Sequence, residues 1–395
     1  MFVAIESAYD TLNTTGSEYM PLKVTQQGLG DIEFLDEFSG NNYAVGLPRG
    51  TREERLRGGA QIRAELVWTP YAAAALTNTS TVSATLDALD ILLRSGLGTA
   101  VTRAGVAVTA KSGSTVTFGS APFTVGDVIA LYESGVNSSR VRHFLSTDED
   151  SNVYDLDADP GSYTSAAVAI GYREFRSEGA DAASFSGYFQ DDTIIYELSG
   201  GQFIPESMAF EAGGLYRVIG AMRFNQIRFA GSVGGGSVTP PSVTSGVIIE
   251  TPVKAELGDL VFGGTSYSGL SAATLNFNNT TVWEPGLDGT NGRVGQRSLT
   301  NFPTLDCTFA SSNTWRALMS AETTGRIRAR VGSGAVASSK VNALALSAHE
   351  AQVLATARQD DGGRARQSVS FKLCHAGVIG ADTPATPPYF SLTRF

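Results

Sequence analysis

The chain has 395 residues and carries 29 Lys+Arg against 39 Asp+Glu, a formal net charge of −10. That acid surplus excludes a basic nucleic-acid binder, because phosphate neutralisation needs an excess of Lys and Arg. Only 17% of residues are charged, 44 are Gly and 42% are apolar, which excludes both wholesale disorder and a Lys/Glu-rich helical bundle and points to a turn-rich, mainly β chain.

The N-terminus reaches Glu6 with no basic residue ahead of its apolar run, so no secretory signal is expected. Apolar runs such as Ala166–Ile170 and Val247–Ile249 are too short to cross a bilayer. A strand is expected at Gly30–Asp36, ahead of an Arg-rich segment with Arg49, Arg52, Arg55 and Arg57. Ala60–Thr69 alternates: Ile62, Ala64, Leu66 and Trp68 point one way and Gln61, Arg63 and Glu65 the other, the pattern of a half-buried strand. A helix is expected over 84–95. Ser83 or Thr85 would cap it, Leu86, Leu89, Leu92 and Leu93 would share a face, and Gly96 would take the left-handed position past its end.

Residues 106–175 turn to short β segments at Thr115–Phe118, Val128–Tyr132, Arg140–Leu145 and Val168–Tyr172, which predicts a small inserted barrel or sandwich. Antiparallel strands follow at Phe185–Gln190, Thr193–Leu198, Glu206–Glu211 and Tyr216–Phe224, with Gly200-Gly201 and Gly213-Gly214 expected as turns. Gly231–Gly246, rich in Gly, Ser and Pro, reads as a linker.

Beyond the linker the order of elements recurs. A strand at Leu270–Asn278 leads to a Gly/Arg segment, Pro285–Arg297, and then to an alternating strand at Phe302–Phe309. Asn313 would cap a short helix with Trp315, Leu318 and Met319 on one face, ended by Gly325. Strands at Ile327–Val331, Val341–Leu346, Ala351–Thr356 and Gln367–Leu373 close the series. The expected division is a first module of 1–105 and 176–230, an inserted β domain at 106–175, a linker at 231–246, and a second module at 247–395 ending in a Pro-rich arm.

The search for chemistry finds little. No P-loop, G-x-G-x-x-G, G-x-S-x-G, C-x-x-C or H-E-x-x-H motif occurs. Cys307 and Cys374 read as unbridged thiols, and His143, His349 and His375 as isolated histidines. Asp155, Asp157 and Asp159 are spaced like the start of a calcium loop, but Pro160 stands where that loop needs Gly and Ala166 where it needs Glu. These acids, with Asp148-Glu149-Asp150, read as a solvated loop, and Asp191-Asp192 and Asp360-Asp361 as turns. No catalytic, cofactor-binding or metal-binding residue is expected. Glu53 and Glu54 interleave the first Arg segment, which argues against a nucleic-acid patch. Arg49, Arg52, Arg55 and Arg57, with Arg293 and Arg297 in the second half, are expected on arms between subunits or rings.

Four segments carry a resemblance to the tail tube proteins of long, non-contractile-tailed (siphovirus-type) bacteriophages. They are Ala4–Leu12, the strand–Arg segment–strand–helix run from Arg49 to Gly98, Gly200–Gly214, and Ser271–Asn279 with the Gly/Arg segment behind it. The resemblance lies in pattern and order and covers about two-thirds of the chain; residues 106–175 stand outside it. It implies tandem β-sandwich modules, each with a flanking short helix, in rings whose inner sheets join into one barrel and stack into a hollow conduit for DNA ejection. Two modules per chain imply a homotrimer with pseudo-six-fold symmetry, against a hexamer as the alternative. The implied partners are further copies of the chain, a tape measure protein, and tail terminator and distal tail proteins. DNA would pass without specific binding, and no cofactor is implied. The implied location is the tail of a virion assembled in the host bacterial cytoplasm. A net acidic wall suits passage, since Lys and Arg would act as a brake on DNA. The alternatives are another phage structural part, such as a capsid decoration or baseplate protein, and a β-rich phage glycosidase or depolymerase.

Overall fold

The computed structural model of the chain describes residues 1–22, 61–67, 88–98, 100–120, 123, 127–133, 142–150, 152–156, 159–161, 163–165, 167–169, 172–176, 183–191, 194–229, 259–267, 269–285, 293–300, 302–310, 312, 314–332, 343–361, 364–374 and 389–394. It is mainly β, with large antiparallel sheets.

The first half contains β1 (Phe2–Ile5), β2 (Met20–Pro21), β3 (Gln61–Val67), helix α1 (Ala88–Leu97) and β4 (Val101–Arg103). Six short strands follow: β5 (Val106–Ser112), β6 (Thr115–Phe118), β7 (Val128–Tyr132), β8 (Arg142–Asp150), β9 (Val153–Leu156) and β10 (Val168–Ala169). Then come β11 (Tyr172–Arg176), β12 (Phe185–Asp191), β13 (Ile194–Glu211), β14 (Arg217–Arg223) and β15 (Gln226–Phe229). The second half runs β16 (Asp259–Phe262), β17 (Thr265–Tyr267), β18 (Ala272–Asn276), β19 (Asn279–Pro285), β20 (Arg293–Thr300), β21 (Thr304–Ala310) and helix α2 (Thr314–Ser320). It ends with β22 (Thr324–Gly332), β23 (Ala343–Asp361), β24 (Arg364–Cys374) and β25 (Ser391–Arg394).

The same pairing pattern occurs twice. In the first half β2 pairs β1, β1 pairs β12, β12 pairs β13, β13 pairs β14 and β14 pairs β3. In the second half β17 pairs β16, β16 pairs β22, β22 pairs β23, β23 pairs β24 and β24 pairs β21. The registers match as well. Pro205, Ser207 and Met208 stand opposite Gly220, Ile219 and Val218, which stand opposite Ala64, Glu65 and Leu66. Val353, Ala355 and Thr356 stand opposite Phe371, Ser370 and Val369, which stand opposite Leu305, Asp306 and Cys307. Each long strand skips one residue of the ladder at the same place, Glu206 in β13 and Leu354 in β23. A bulge bends its strand and increases twist, so a shared bulge means a shared curvature.

Both long strands cross from one sheet region to another, and here the structure corrects the sequence. Gly200-Gly201 does not turn the chain; β13 runs through it without interruption. A Cβ on Gly201 would lie 2.5 Å from the Phe185 carbonyl oxygen and 2.6 Å from the Phe224 ring, and Gly200 has φ +63°. The glycines thus allow close approach at a bend. Likewise the expected strands at Val341–Leu346 and Ala351–Thr356 are one strand, β23.

The helices sit beneath these strands, α1 against β13 and α2 against β23. Instead of one apolar face, α1 buries nearly its whole circumference, including Ile91, Leu92, Leu93 and Asp90. Gly96 lies inside the helix, where a Cβ would stand 2.9 Å from Pro205 Cδ. The left-handed residue past the end is Gly98, φ +98°, whose N–H donates to the Arg94 carbonyl at 3.1 Å. In α2, Trp315 is buried against Tyr267, Phe309 and Phe371, with Leu318 and Met319 half-buried beside the core. Its end also differs from expectation. The N–H groups of Glu322 and Thr323 donate to the carbonyls of Met319 and Leu318, the Schellman pattern with Glu322 at positive φ. Gly325 is already in β22.

β5 to β10 close into a six-stranded barrel with a core around Phe118, Phe123, Tyr154 and Tyr163 that also takes in Ala345 of β23. Asp148-Glu149-Asp150, expected in a loop, ends β8. The barrel hangs from β4 and β11, which pair with each other. The C-terminal segment, expected as an arm, contributes a buried strand at its end: β25 pairs β11 on one side and β23 on the other.

Candidate functional site

The Arg residues expected on arms divide between two situations. Arg49, Arg52, Arg55 and Arg57 lie outside the described residues. Arg293 and Arg297 belong to β20, which pairs with β19 in a separate two-stranded hairpin. That part of the Gly/Arg segment is therefore regular strand, because Thr280, Thr281, Val282 and Trp283 supply β-prone partners for it.

Glu6, Asp10 and Asp90 are held by hydrogen bonds and ion pairs. Glu6 accepts hydrogen bonds from the Asp10 N–H (2.9 Å), Ser184 Oγ (2.6 Å), Ser186 Oγ (2.7 Å) and the Gly200 N–H (2.9 Å). Burial raises its pKa against the lowering effect of these donors. Asp10, at φ +58°, accepts from Ser199 Oγ (2.7 Å), Asn225 Nδ2 (2.9 Å) and Gln226 Nε2 (2.6 Å). The two carboxylates fasten the N-terminal segment to the bend of β13. Asp90 of α1 is wholly buried; the Arg173 guanidinium donates to it, and Arg394 Nη1 stands 3.7 Å from its Oδ1. Burial pushes the Cys307 thiol well up, which disfavours the nucleophilic thiolate. His349 is pushed down to about 4 by burial and then by Arg326 and Arg176.

The calcium-like spacing is spent on other contacts. Asp155 accepts from Thr115 Oγ1, and Asp159 takes Lys111 Nζ at 3.0 Å and the Gly161 N–H at 2.8 Å; Asp157 lies outside the described residues. Among the described residues, no three His, Cys, Asp or Glu side chains stand close enough to hold a metal ion. His143 falls in β8 and His375 outside the described residues.

The feature with a clear chemical capacity is the backbone edge where the two halves meet. β13 has β14 on one side of its C-terminal half and β18 on the other. Ser207 to Glu211 stand opposite Asn276 to Ala272. Two further bonds extend this joint: the Phe277 N–H donates to the Glu206 carbonyl at 3.0 Å, and the Ala212 N–H to the Ser271 carbonyl at 2.7 Å. β18 then pairs β21. A single sheet thereby runs β3–β14–β13–β18–β21–β24–β23, from the first repeat into the second.

At its far end, β23 has β24 on one side of its C-terminal half. Among the described residues, no strand occupies the other side there. Ala355 and Ala357 are exposed and Thr356 is half-exposed. Leu354, at the bulge, is 55% exposed, the highest value among the chain's exposed large apolar residues in the described part. Sequence reading missed this edge because it broke β23 in two. No local signal marks it, since alternation reports the faces of a strand and not its edges.

No family model matches the chain and no curated protein matches it significantly.

Proposed function

We propose that the chain is the major tail tube subunit of a siphovirus-type bacteriophage, a structural virion protein whose rings stack into the conduit for DNA ejection. The observation that carries this reading is the repeated pairing pattern with a sheet continuing from one repeat into the next. In most proteins an open sheet edge is a hazard, because it templates further pairing. In a ring former the same pairing closes a barrel. Two repeats per chain, each a tube-type β-sandwich with its flanking helix, would make three copies equivalent to a pseudo-six-fold ring. The net charge of −10 supports the same reading, since an acidic wall repels DNA phosphates and leaves passage unhindered.

The partners in this reading are further copies of the chain, a tape measure protein, and the proteins that terminate the tube at each end. The subunit acts without chemistry of its own. Electron microscopy of the purified protein tests the reading: open rings or hollow tubes with three chains per ring are expected. Compact trimers that never stack would favour a capsid decoration or baseplate part, and compact single particles would count against any tail role.

A further inference from the structure

The hairpin of β19 and β20 stands on a narrow neck. Before it, the Phe277 N–H donates to the Glu206 carbonyl at 3.0 Å; after it, the Pro303 carbonyl accepts from the Leu373 N–H at 2.9 Å. Both ends of the neck are therefore bonded into the large sheet. The hairpin ladder itself begins at Asn279 opposite Thr300, and among the described residues its two strands pair only with each other. The change of direction falls on Asn278, φ +50°, and Phe302, φ +41°. Asn tolerates left-handed backbone, whereas for Phe it is strained. Asn278 Nδ2 donates to the Phe302 carbonyl across the neck at 3.0 Å. Beside it, both polar atoms of the Asn279 side chain are buried without a hydrogen-bond partner, a further cost of this arrangement.

Two consecutive aromatics of the C-terminal segment grip this neck, one on each side. Tyr389 meets the Phe302 ring edge-on at 6.1 Å between centroids, and Phe390 meets Phe277 edge-on at 5.6 Å. Lys372 of β24 places its Nζ over the Phe302 ring, 4.2 Å from the centroid. Phe390 is fully buried, but Phe302 is 54% exposed, so its contacts are of the weak, reversible kind. The two aromatics lead directly into β25, which is buried between β11 and β23. We propose that Tyr389 and Phe390 are a latch: while β25 is docked they hold the hairpin in place, and on release the hairpin swings as a unit about Asn278 and Phe302. Strained backbone persists only where its surroundings over-determine it, and here the C-terminal segment supplies that constraint. The strain at Phe302 and the unmet amide of Asn279 favour release. One segment thereby joins the two halves and sets where the hairpin, with Arg293 and Arg297, stands.

The latch goes beyond the tube reading and does not depend on it. The test uses the full chain in dilute solution with Tyr389→Ala, Tyr389→Phe, Phe302→Ala and the double alanine variant. Tryptic cleavage after Arg293 and Arg297, followed by mass spectrometry, reads how often the hairpin opens. Tyr389→Ala should speed this cleavage about 2- to 13-fold, the equivalent of one aromatic pair, and Tyr389→Phe should leave it unchanged. Phe302→Ala should speed it more, since the Lys372 contact goes too, and the double variant should add little to that. Phe302 is exposed, so its variant keeps the test open should Tyr389→Ala fail to fold. Spin labels on cysteines at 281 and 211, in a Cys374→Ser background, separate swinging from fraying. A single distance is expected with the latch intact and a second distance population in Phe302→Ala. Wild-type cleavage in Phe302→Ala overturns the proposal. So does a folded Tyr389→Ala cleaved at the wild-type rate, because the C-terminal segment then holds nothing. Faster cleavage with one unchanged label distance also overturns it, since the hairpin then frays without swinging.

Discussion

Gly220 stands where β14 passes over the core, and a Cβ there would meet both the Ile204 carbonyl oxygen and the Phe203 ring at 2.6 Å. Backbone on one side and a buried ring on the other leave no soft direction for relief. Gly220→Ala should therefore cost about 2–3 kcal/mol in urea unfolding, as overpacking of a filled core does. His349 gives a pH signature. Burial holds it at about 4 in the fold against 6.5 for the free side chain, so the fold contains neutral His349. Its contribution is fully present above pH 6.5 and is lost as pH falls through about 4. His349→Gln should flatten that decline, by up to about 3 kcal/mol between pH 6.5 and 4. Glu6, raised by burial, works in the opposite sense, with stability lost as pH rises through its folded pKa. A comparison of the His349 variant with wild type at each pH separates the two.

Among the elements, β25 ties the halves together. It lies between β11 of the first half and β23 of the second, with all four residues buried and the Ser391 and Ser347 hydroxyls 2.8 Å apart. Arg394 also brings a cation beside buried Asp90. Deleting Ser391–Phe395 exposes Leu392's neighbours and removes one of the two arginines around that carboxylate. The expected loss is about 3–5 kcal/mol, the range for a broken buried charge cluster together with a missing apolar side chain, measured by denaturant unfolding. A full-strength fold after this deletion would mean that β25 fills a gap without holding the halves. The helices differ for a physical reason as well. α1 is enclosed by β13, β11 and β1, so its acidic residue needs internal partners, whereas α2 keeps Arg316 and Ser320 exposed and anchors mainly by Trp315.

Across the full chain, the barrel of β5 to β10 is an attachment whose core reaches the rest of the fold at Ala345 of β23. Its two connections leave from β4 and β11, where Arg103 stands directly opposite Tyr172. Residues 104–171 can then be replaced by a short Gly/Ser loop with little closure cost. The shortened chain should fold and assemble as the full chain does, checked by microscopy and by circular dichroism. Asp127, buried between Arg103 at 3.7 Å and Arg176 at 3.9 Å, is a polar tie at the root of the barrel, and this replacement removes it. Failure of the shortened chain to assemble where the full chain does would give the barrel a place in the proposed ring contact.

Local periodicity and turn chemistry specify the part of this fold that is legible without contacts. Alternation in Gln61–Val67 and Thr304–Ala310, the helical trio Trp315, Leu318 and Met319, and the crowd of short strands in 106–169 all belong to it. The recurrence in element order is also read without knowing which strands pair, though its opening strand at Gly30–Asp36 and the Arg49–Arg57 segment lie outside the described residues. Tertiary structure decided what happens at Gly200-Gly201 and near His349. Glycine permits a tight turn and a close approach equally well, and only the Phe185 backbone and Phe224 ring beside Gly201 select the second. It also decided the ends of both helices, because packing against Pro205 draws Gly96 into α1 and leaves the left-handed position to Gly98. The side of β23 that no described strand occupies belongs to the same class. Which side of a strand is paired depends on strands distant in sequence, and side-chain alternation reports the faces of a sheet, not its edges.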